Sequence, residues 1–222
     1  MNYAVIVAGG AGKRFSNTVK KQFLKIDTET ILEKTISQFN THKLINSIIL
    51  VLPEDDLKIE GYLKYRFNKL KSVIKGGKER KHSVYNGLTA IEDSLDNKSK
   101  ILIHDGVRPF VSYELITDII NSLDRYSCVV PGINVEETLK IVDSKNFVVG
   151  TVKRERYVRI QTPQGFKKDI INLYKKAVQL DINFTDDAQV YEYFRKNVKV
   201  IQGDKKNIKI TTKEDLLWFK NE

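Results

Sequence analysis

A single cysteine, a single tryptophan and only four prolines are spread over 222 residues, and each scarcity excludes something. One cysteine cannot close an internal disulfide. Cys128 lies in the apolar run Ser127-Cys128-Val129-Val130, where a buried, inert thiol is expected rather than a nucleophile. No apolar run approaches the ~20 residues a membrane span requires. Met1 leads straight into the first hydrophobic stretch, without the segments of a signal peptide. The expectation is a soluble, cytoplasmic protein with no membrane partner. Zinc-ligand spacing, heptads, repeats and low-complexity segments are all missing. So are two familiar glycine loops: Phe15 stands where a dinucleotide fingerprint needs its third glycine, and no Lys-Ser or Lys-Thr pair follows the glycines as in a P-loop.

What is present begins at Asn2 to Gln22. Ala4, Val5, Ile6 and Val7 form a continuous, largely β-branched run that suits the first, central strand of a parallel sheet. Gly9, Gly10 and Gly12 follow, where missing side chains let backbone N–H groups approach an anion. Lys13, Arg14, Lys20 and Lys21 then place cations within reach of a triphosphate. A glycine turn beside a solvated basic surface is the bland alternative. The net charge of +10 also admits a basic RNA-binding module, but the positive residues are scattered. Those gathered beside glycines suit a small, densely charged nucleotide better.

With 41% hydrophobic residues the chain is long enough for one α/β domain over 1–222. Thr30 with Glu33 forms a capping box for a helix to Phe39, with Leu32, Ile36 and Phe39 at helical spacing. Ile45 to Leu52 reads as a second buried strand, Leu63, Phe67 and Leu70 as a helix, and Ser72 to Ile74 as a short strand. Gly76-Gly77 then opens a helix from about Glu79, with Val84, Leu88, Ile91 and Leu95 on one face. A strand delivering glycines to a helix start is a second anion or base-edge site. Ile101 to Ile103 is a further strand, of branched aliphatics, ending in His104-Asp105-Gly106-Val107-Arg108-Pro109. Ligands in open α/β sheets collect beyond the carboxyl ends of the strands, so these segments predict one shared site. His104 has no nucleophile to pair with and reads as structural.

After a helix at Glu114 to Leu123 and a strand at Ser127 to Pro131 the pattern changes. Thr138 to Val142 and Phe147 to Val152 flank the polar turn Asp143-Ser144-Lys145-Asn146, which predicts a β-hairpin arm within 134–160. Asp186 is placed to start a late helix. Val198 to Ile201 returns to the sheet, ahead of a closing helix that holds Trp218.

AGGAGKRF with KKQFLKI, GGKERKHSV from Gly76, HDGVRPF from His104, ETLK from Glu137, QTPQGF from Gln161, TDDA from Thr185 and NIKITT from Asn207 occur in one order across nearly the whole chain. Together they resemble the signature of the sugar-phosphate nucleotidylyltransferases, specifically the cytidylyltransferases acting on 2-C-methyl-D-erythritol 4-phosphate. The resemblance implies a Rossmann-like, mostly parallel twisted sheet flanked by helices, with the arm making a homodimer. It implies that Ala8, Gly9, Gly10, Gly12, Gly77, Arg80, Ser83, Asp105 and Gly106 meet CTP. Arg14, Lys21 and Lys209 would carry the chemistry. Arg108, Thr138, Lys140, Thr162 and Thr185 would line the sugar-alcohol phosphate site, with Arg154 reaching the phosphate from across the dimer. Lys153 replaces the aspartate usual before that arginine, and Arg156 and Arg159 are rival cations; Lys20 likewise replaces a proline, and Lys206 an aspartate. Mg²⁺ would be held mainly by the CTP phosphates, with Asp105 as the candidate protein ligand.

The chemistry so implied needs no activated nucleophile. A phosphate monoester is already ionised at neutral pH, so two anions must be held in line while their growing charge is neutralised. The nearest rival is a cytidylyltransferase of ribitol 5-phosphate, a relative that tends to carry serine at the position of Gly106.

Overall fold

The computed structural model describes residues 1–9, 20–212 and 214–217. Expectations placed on Gly10, Gly12, Lys13, Arg14 and Trp218 lie outside the described residues. The chain opens with β1 (Asn2–Val7) and resumes at Lys20 in a 3-10 turn at Lys21–Phe23. A short ribbon of β2 (Lys25–Ile26) and β3 (Glu29–Thr30) leads to α1 (Ile31–Thr41). The capping box is present: Glu33 N–H donates to Thr30 Oγ1 at 3.1 Å, and Thr30 N–H to Glu33 Oε2 at 2.7 Å. Next come β4 (Ser47–Leu52), α2 (Glu60–Arg66), β5 (Leu70–Lys75), α3 (Arg80–Thr89) and β6 (Lys100–Asp105). Helix α4 (Tyr113–Ser122) precedes β7 (Cys128–Asn134), β8 (Lys140–Val142), β9 (Val148–Thr151), β10 (Val158–Ile160) and β11 (Gln164–Lys167). The chain closes with α5 (Asp169–Ala177), α6 (Ala188–Tyr193), β12 (Lys199–Gln202) and α7 (Glu214–Leu217).

Two expectations are corrected. Leu70 opens β5 instead of ending a helix: α2 stops at Arg66, and Phe67 turns extended. Leu63, Phe67 and Leu70 still bury in one cluster, so their spacing reported a shared buried face rather than a continuous helix. Helix α3 ends at Thr89, short of Ile91 and Leu95, yet Ile91 remains buried through the turn that follows.

The main sheet runs β7-β11-β6-β1-β4-β5, with β1, β4, β5 and β6 parallel and β11 antiparallel to both β6 and β7. Val129 of β7 pairs with both Gly165 and Lys199, so β12 lies on the edge of β7 away from β11. Alternate residues of each central strand supply two cores. Ala4, Ile6, Ile48, Leu50 and Leu102 pack under Leu32, Ile36, Ile116 and Ile119 of α1 and α4. Val5, Ile49, Val51, Ile101 and Ile103 pack under Val84, Leu88, Ile170 and Tyr174 of α3 and α5. Because helices cover both faces, β4 is buried at every position. The chain steps outward from β1 to β4 and β5, then crosses back to β6 on the other side of β1. That reversal opens a crevice beyond the carboxyl ends of β1 and β6.

Candidate active site

Backbone ladders carry the sheet past its strand ends into this crevice. Ala8 N–H donates to Val51 O at 2.9 Å, Gly76 N–H to Leu52 O at 2.7 Å, and Gly106 N–H to Val7 O at 2.9 Å. Glycine is needed where these segments crowd. A Cβ on Gly106 would stand 2.7 Å from Ala8 Cβ, and one on Gly77 would stand 2.3 Å from His82 Cβ. Ser83 is buried and binds the turn itself: its Oγ accepts from Gly77 N–H at 3.0 Å and donates to Glu79 O at 3.2 Å.

At the end of β6, Asp105 lies among three cations. Lys209 Nζ is 2.9 Å from Oδ2, and Arg108 Nε and Arg80 Nη2 are each 3.5 Å from a carboxylate oxygen. Burial by itself would raise the Asp105 pKa. The charges of Arg80, Lys209 and Arg108 overcome it and hold the carboxyl well below the usual range. Behind Asp105 a chain of hydrogen bonds fixes its backbone: Asp105 N–H donates to Thr162 Oγ1 at 3.1 Å, Thr162 Oγ1 lies 3.1 Å from His104 Nδ1, and His104 Nε2 lies 3.0 Å from Arg108 O. A carbonyl only accepts, so Nε2 carries the imidazole proton and Nδ1 accepts the threonine hydroxyl. His104 is fully buried, and burial lowers its pKa to about 4, which keeps it neutral in that role.

The C-terminal segment closes the site. Ile210 N–H donates to Val107 O at 2.9 Å, Arg108 Nη1 to Asn207 O at 2.9 Å, and Lys21 Nζ to Ile210 O at 3.3 Å. Lys21 and Lys209 are therefore brought to one place from opposite ends of the chain. Lys20, in the position read as a replaced proline, donates to both oxygens of the mostly buried Asp56 at 2.9 and 2.8 Å. That ion pair anchors the backbone immediately before Lys21.

The structure thus gathers Ala8, Gly9, Lys21, Gly77, Arg80, Ser83, Asp105, Gly106, Arg108 and Lys209 at one edge. Other expected site residues sit elsewhere or turn inward. Thr162 is 4% exposed and its hydroxyl is engaged behind Asp105, so it aligns that residue rather than opening to the cleft. Thr185 is exposed and donates to Gln189 Oε1 at 3.2 Å at the start of α6. Thr138, Lys140 and Arg154 lie on or beside the arm; Lys140 Nζ donates to Thr151 Oγ1 at 2.7 Å, and Arg154 Nη1 donates to Glu136 O. Three residues that sequence reasoning left without a role emerge: Asp187, buried against Arg80; Asp56; and Asn207, fully buried, whose Nδ2 donates to Thr162 O at 2.8 Å. The doubled aspartate of Thr185-Asp186-Asp187 was the available signal for the first. Cys128 is fully buried, and burial, reinforced by Asp186 and Asp187, pushes its thiol pKa far up, as befits an inert side chain.

Among the described residues no group of three or more His, Cys, Asp or Glu comes together to cage a metal, and no helix is long and apolar enough to cross a membrane.

Residues 2–220 match the family profile described as 2-C-methyl-D-erythritol 4-phosphate cytidylyltransferase (IspD). A protein of that name from Clostridium beijerinckii is 43% identical over 218 residues, covering 96% of this chain and 94% of the relative. One from Clostridium botulinum strain Okra is 40% identical over 219 residues, covering 97% and 94%. The crystal structure of the 4-diphosphocytidyl-2C-methyl-D-erythritol synthase from Anaerococcus prevotii superposes with a TM-score of 0.86 at 34% identity, covering 98% of this chain and 93% of that one. A crevice lined by cations at the strand ends, and a relationship that runs nearly the whole length of the sequence, lead to one conclusion: the chain belongs to the 2-C-methyl-D-erythritol 4-phosphate cytidylyltransferase family.

Proposed function

We propose that this crevice joins CTP to 2-C-methyl-D-erythritol 4-phosphate, giving 4-diphosphocytidyl-2-C-methyl-D-erythritol and pyrophosphate, as one step of isoprenoid synthesis. The observation that carries the reading is the meeting of Lys209, Arg80 and Arg108 around one ionised carboxylate at the carboxyl edge of β1 and β6, with Lys21 beside them on the carbonyl of Ile210. The attacking phosphate brings its own ionised oxygen, so the protein has only to hold two anions in line and neutralise charge as the α-phosphorus becomes five-coordinate. Lys21 and Lys209 are assigned that neutralisation, together with Arg14. The backbone at Ala8, Gly9, Gly77 and Gly106, with Arg80 and Ser83, is assigned to the nucleotide, and Arg108 to the second substrate.

Mg²⁺ fits this donor set. It is commonly bound through one or two carboxylates plus substrate phosphates rather than by a protein cage, and Asp105 is a single, firmly ionised carboxylate at the cleft. Asp105 and the phosphates of CTP would hold it, and the chemistry it would supply is neutralisation of phosphate charge.

The arm supports a homodimer. Among the described residues strands β8 and β9 pair only with each other, and Ile141, Val142, Phe147, Val148 and Val149 are all more than half exposed. An isolated two-stranded ribbon is marginal in water, so a second copy would supply the surface it lacks. Thr138, Lys140 and Arg154 would then serve the partner's site. Arg156 remains the rival to Arg154, since it lines a cavity of about 380 Å³ with Val152, Lys153 and Tyr157. A cytoplasmic setting completes the reading.

Family membership favours methylerythritol over ribitol phosphate, and turnover over plain RNA binding. The test is pyrophosphate release from CTP, UTP, ATP and GTP, each with methylerythritol phosphate and with ribitol phosphate. Turnover confined to CTP with methylerythritol phosphate is the expected result; turnover with ribitol phosphate alone would overturn it.

A further inference from the structure

Asp187 is fully buried and accepts from Arg80 through both guanidinium ends, Nη1 to Oδ1 and Nη2 to Oδ2, each at 2.7 Å. Tyr174, 1% exposed, donates its hydroxyl to the same Oδ1. The Nη2 of Arg80 also lies 3.5 Å from Asp105 Oδ1. One arginine is thus held between a near, buried carboxylate and a far one that faces the cleft. Five N–H donors are available to a guanidinium, and these contacts use three, while 30% of the side chain is exposed. Donors are left for a ligand.

We propose that Asp187, backed by Tyr174, is the positioning residue for Arg80, locking its guanidinium beside the nucleotide and keeping it from collapsing onto Asp105. The inference rests on the assignment of Arg80 to CTP. The chemistry is that of a bidentate clamp: a paired Arg–carboxylate fork fixes the plane of the guanidinium as well as its place. Without the clamp, Asp105 becomes the nearest anion. A tight Arg80–Asp105 pair would then occupy both groups that face the ligand. Tyr174 stays a hydrogen-bond donor throughout, because burial and the adjacent carboxylate raise its pKa well above the ordinary tyrosine value.

The proposal sorts the doubled aspartate by role. Asp186 Oδ1 accepts from Gln189 N–H at 2.9 Å at the start of α6, and Oδ2 accepts from Gln164 Nε2 at 2.9 Å. It is a cap. Asp187, one residue on, points into the core beneath α3.

The test measures CTP affinity by calorimetry, with melting temperature alongside, for Arg80→Ala, Asp187→Asn, Tyr174→Phe and the double variant Arg80→Ala/Asp187→Asn. Arg80→Ala should weaken CTP about tenfold or more, Asp187→Asn by a similar factor, and Tyr174→Phe by a few-fold. The double variant should bind CTP within twofold of Arg80→Ala, because a positioning residue has nothing to position once its arginine is gone. A purely structural Asp187 would lower the melting temperature while leaving CTP affinity unchanged, or would multiply the loss in the double variant; either result overturns the proposal. Tyr174→Phe keeps the test open should Asp187→Asn fail to fold, since normal CTP affinity in that variant contradicts the clamp. If Arg80→Ala binds CTP normally, the nucleotide role of Arg80 falls and the positioning role falls with it. If Arg80→Ala loses CTP while Asp187→Asn does not, only the positioning role falls.

Discussion

Lys209 reaches Asp105 at 2.9 Å while the neighbouring carbonyl of Ile210 accepts from Lys21. Two lysines of this kind are preorganised charge, and removing one such group typically costs roughly 10²-fold or more in rate. Lys209→Ala and Lys21→Ala should each lower kcat for pyrophosphate release by at least about that factor; a near-normal kcat would remove the residue from the mechanism. The Asp105 pKa is depressed, so this carboxylate stays ionised through any neutral assay. Its contribution to stability is present above its unfolded value of 3.8 and fades only as pH falls through the lower folded value. His104 works in the opposite range. Its pKa falls from 6.5 to about 4 on folding, so the unfolded chain takes up a proton between those values while the folded one does not. Stability should therefore drop as pH falls from 6.5 towards 4, by about 3 kcal/mol from this residue. Denaturant titration at stepped pH reads this directly, and His104→Gln should flatten the decline.

Elements converge because strand ends continue pairing after the strands themselves stop. Gly106 bonds to Val7 O at 2.9 Å, which puts the end of β6 against Ala8. No side chain fits there. Gly106→Ala would press its Cβ to 2.7 Å from that of Ala8, so one segment must shift. The variant is expected to lose ~1–3 kcal/mol of stability and to raise KM for CTP, measured by melting and by initial rates. The ion pair of Lys20 with Asp56 acts at the same scale, joining the turn before Lys21 to the segment after β4.

At the scale of the whole molecule, one apolar surface stands open to solvent. The β8–β9 arm exposes a row of apolar residues, with Phe147 at 68% and Val149 at 63%. If a second copy covers it, Phe147→Asp should yield monomers in light scattering and lose turnover, since each site would lack the partner's Lys140 and Arg154. A dimer of unchanged mass and activity would remove the arm from the assembly.

The chain's own order of residues made β1, β4, β6, β7, α1, α4 and the hairpin arm legible, and showed that three strand ends would bear glycine or charge. Alternating and helical spacings report which face is buried, and a capping box such as Thr30 with Glu33 is local enough to be legible. Spacing is silent about partners far along the chain, and so it merged Leu63, Phe67 and Leu70 into one helix when they share only a core. Tertiary structure alone decided that Arg80 meets Asp187 at 2.7 Å, that the Thr162 hydroxyl turns inward to His104, and that Lys21 and Lys209 share one corner. Those choices follow from charge and burial: a carboxylate enclosed in the core must find a cation, whichever segment the fold happens to bring within reach.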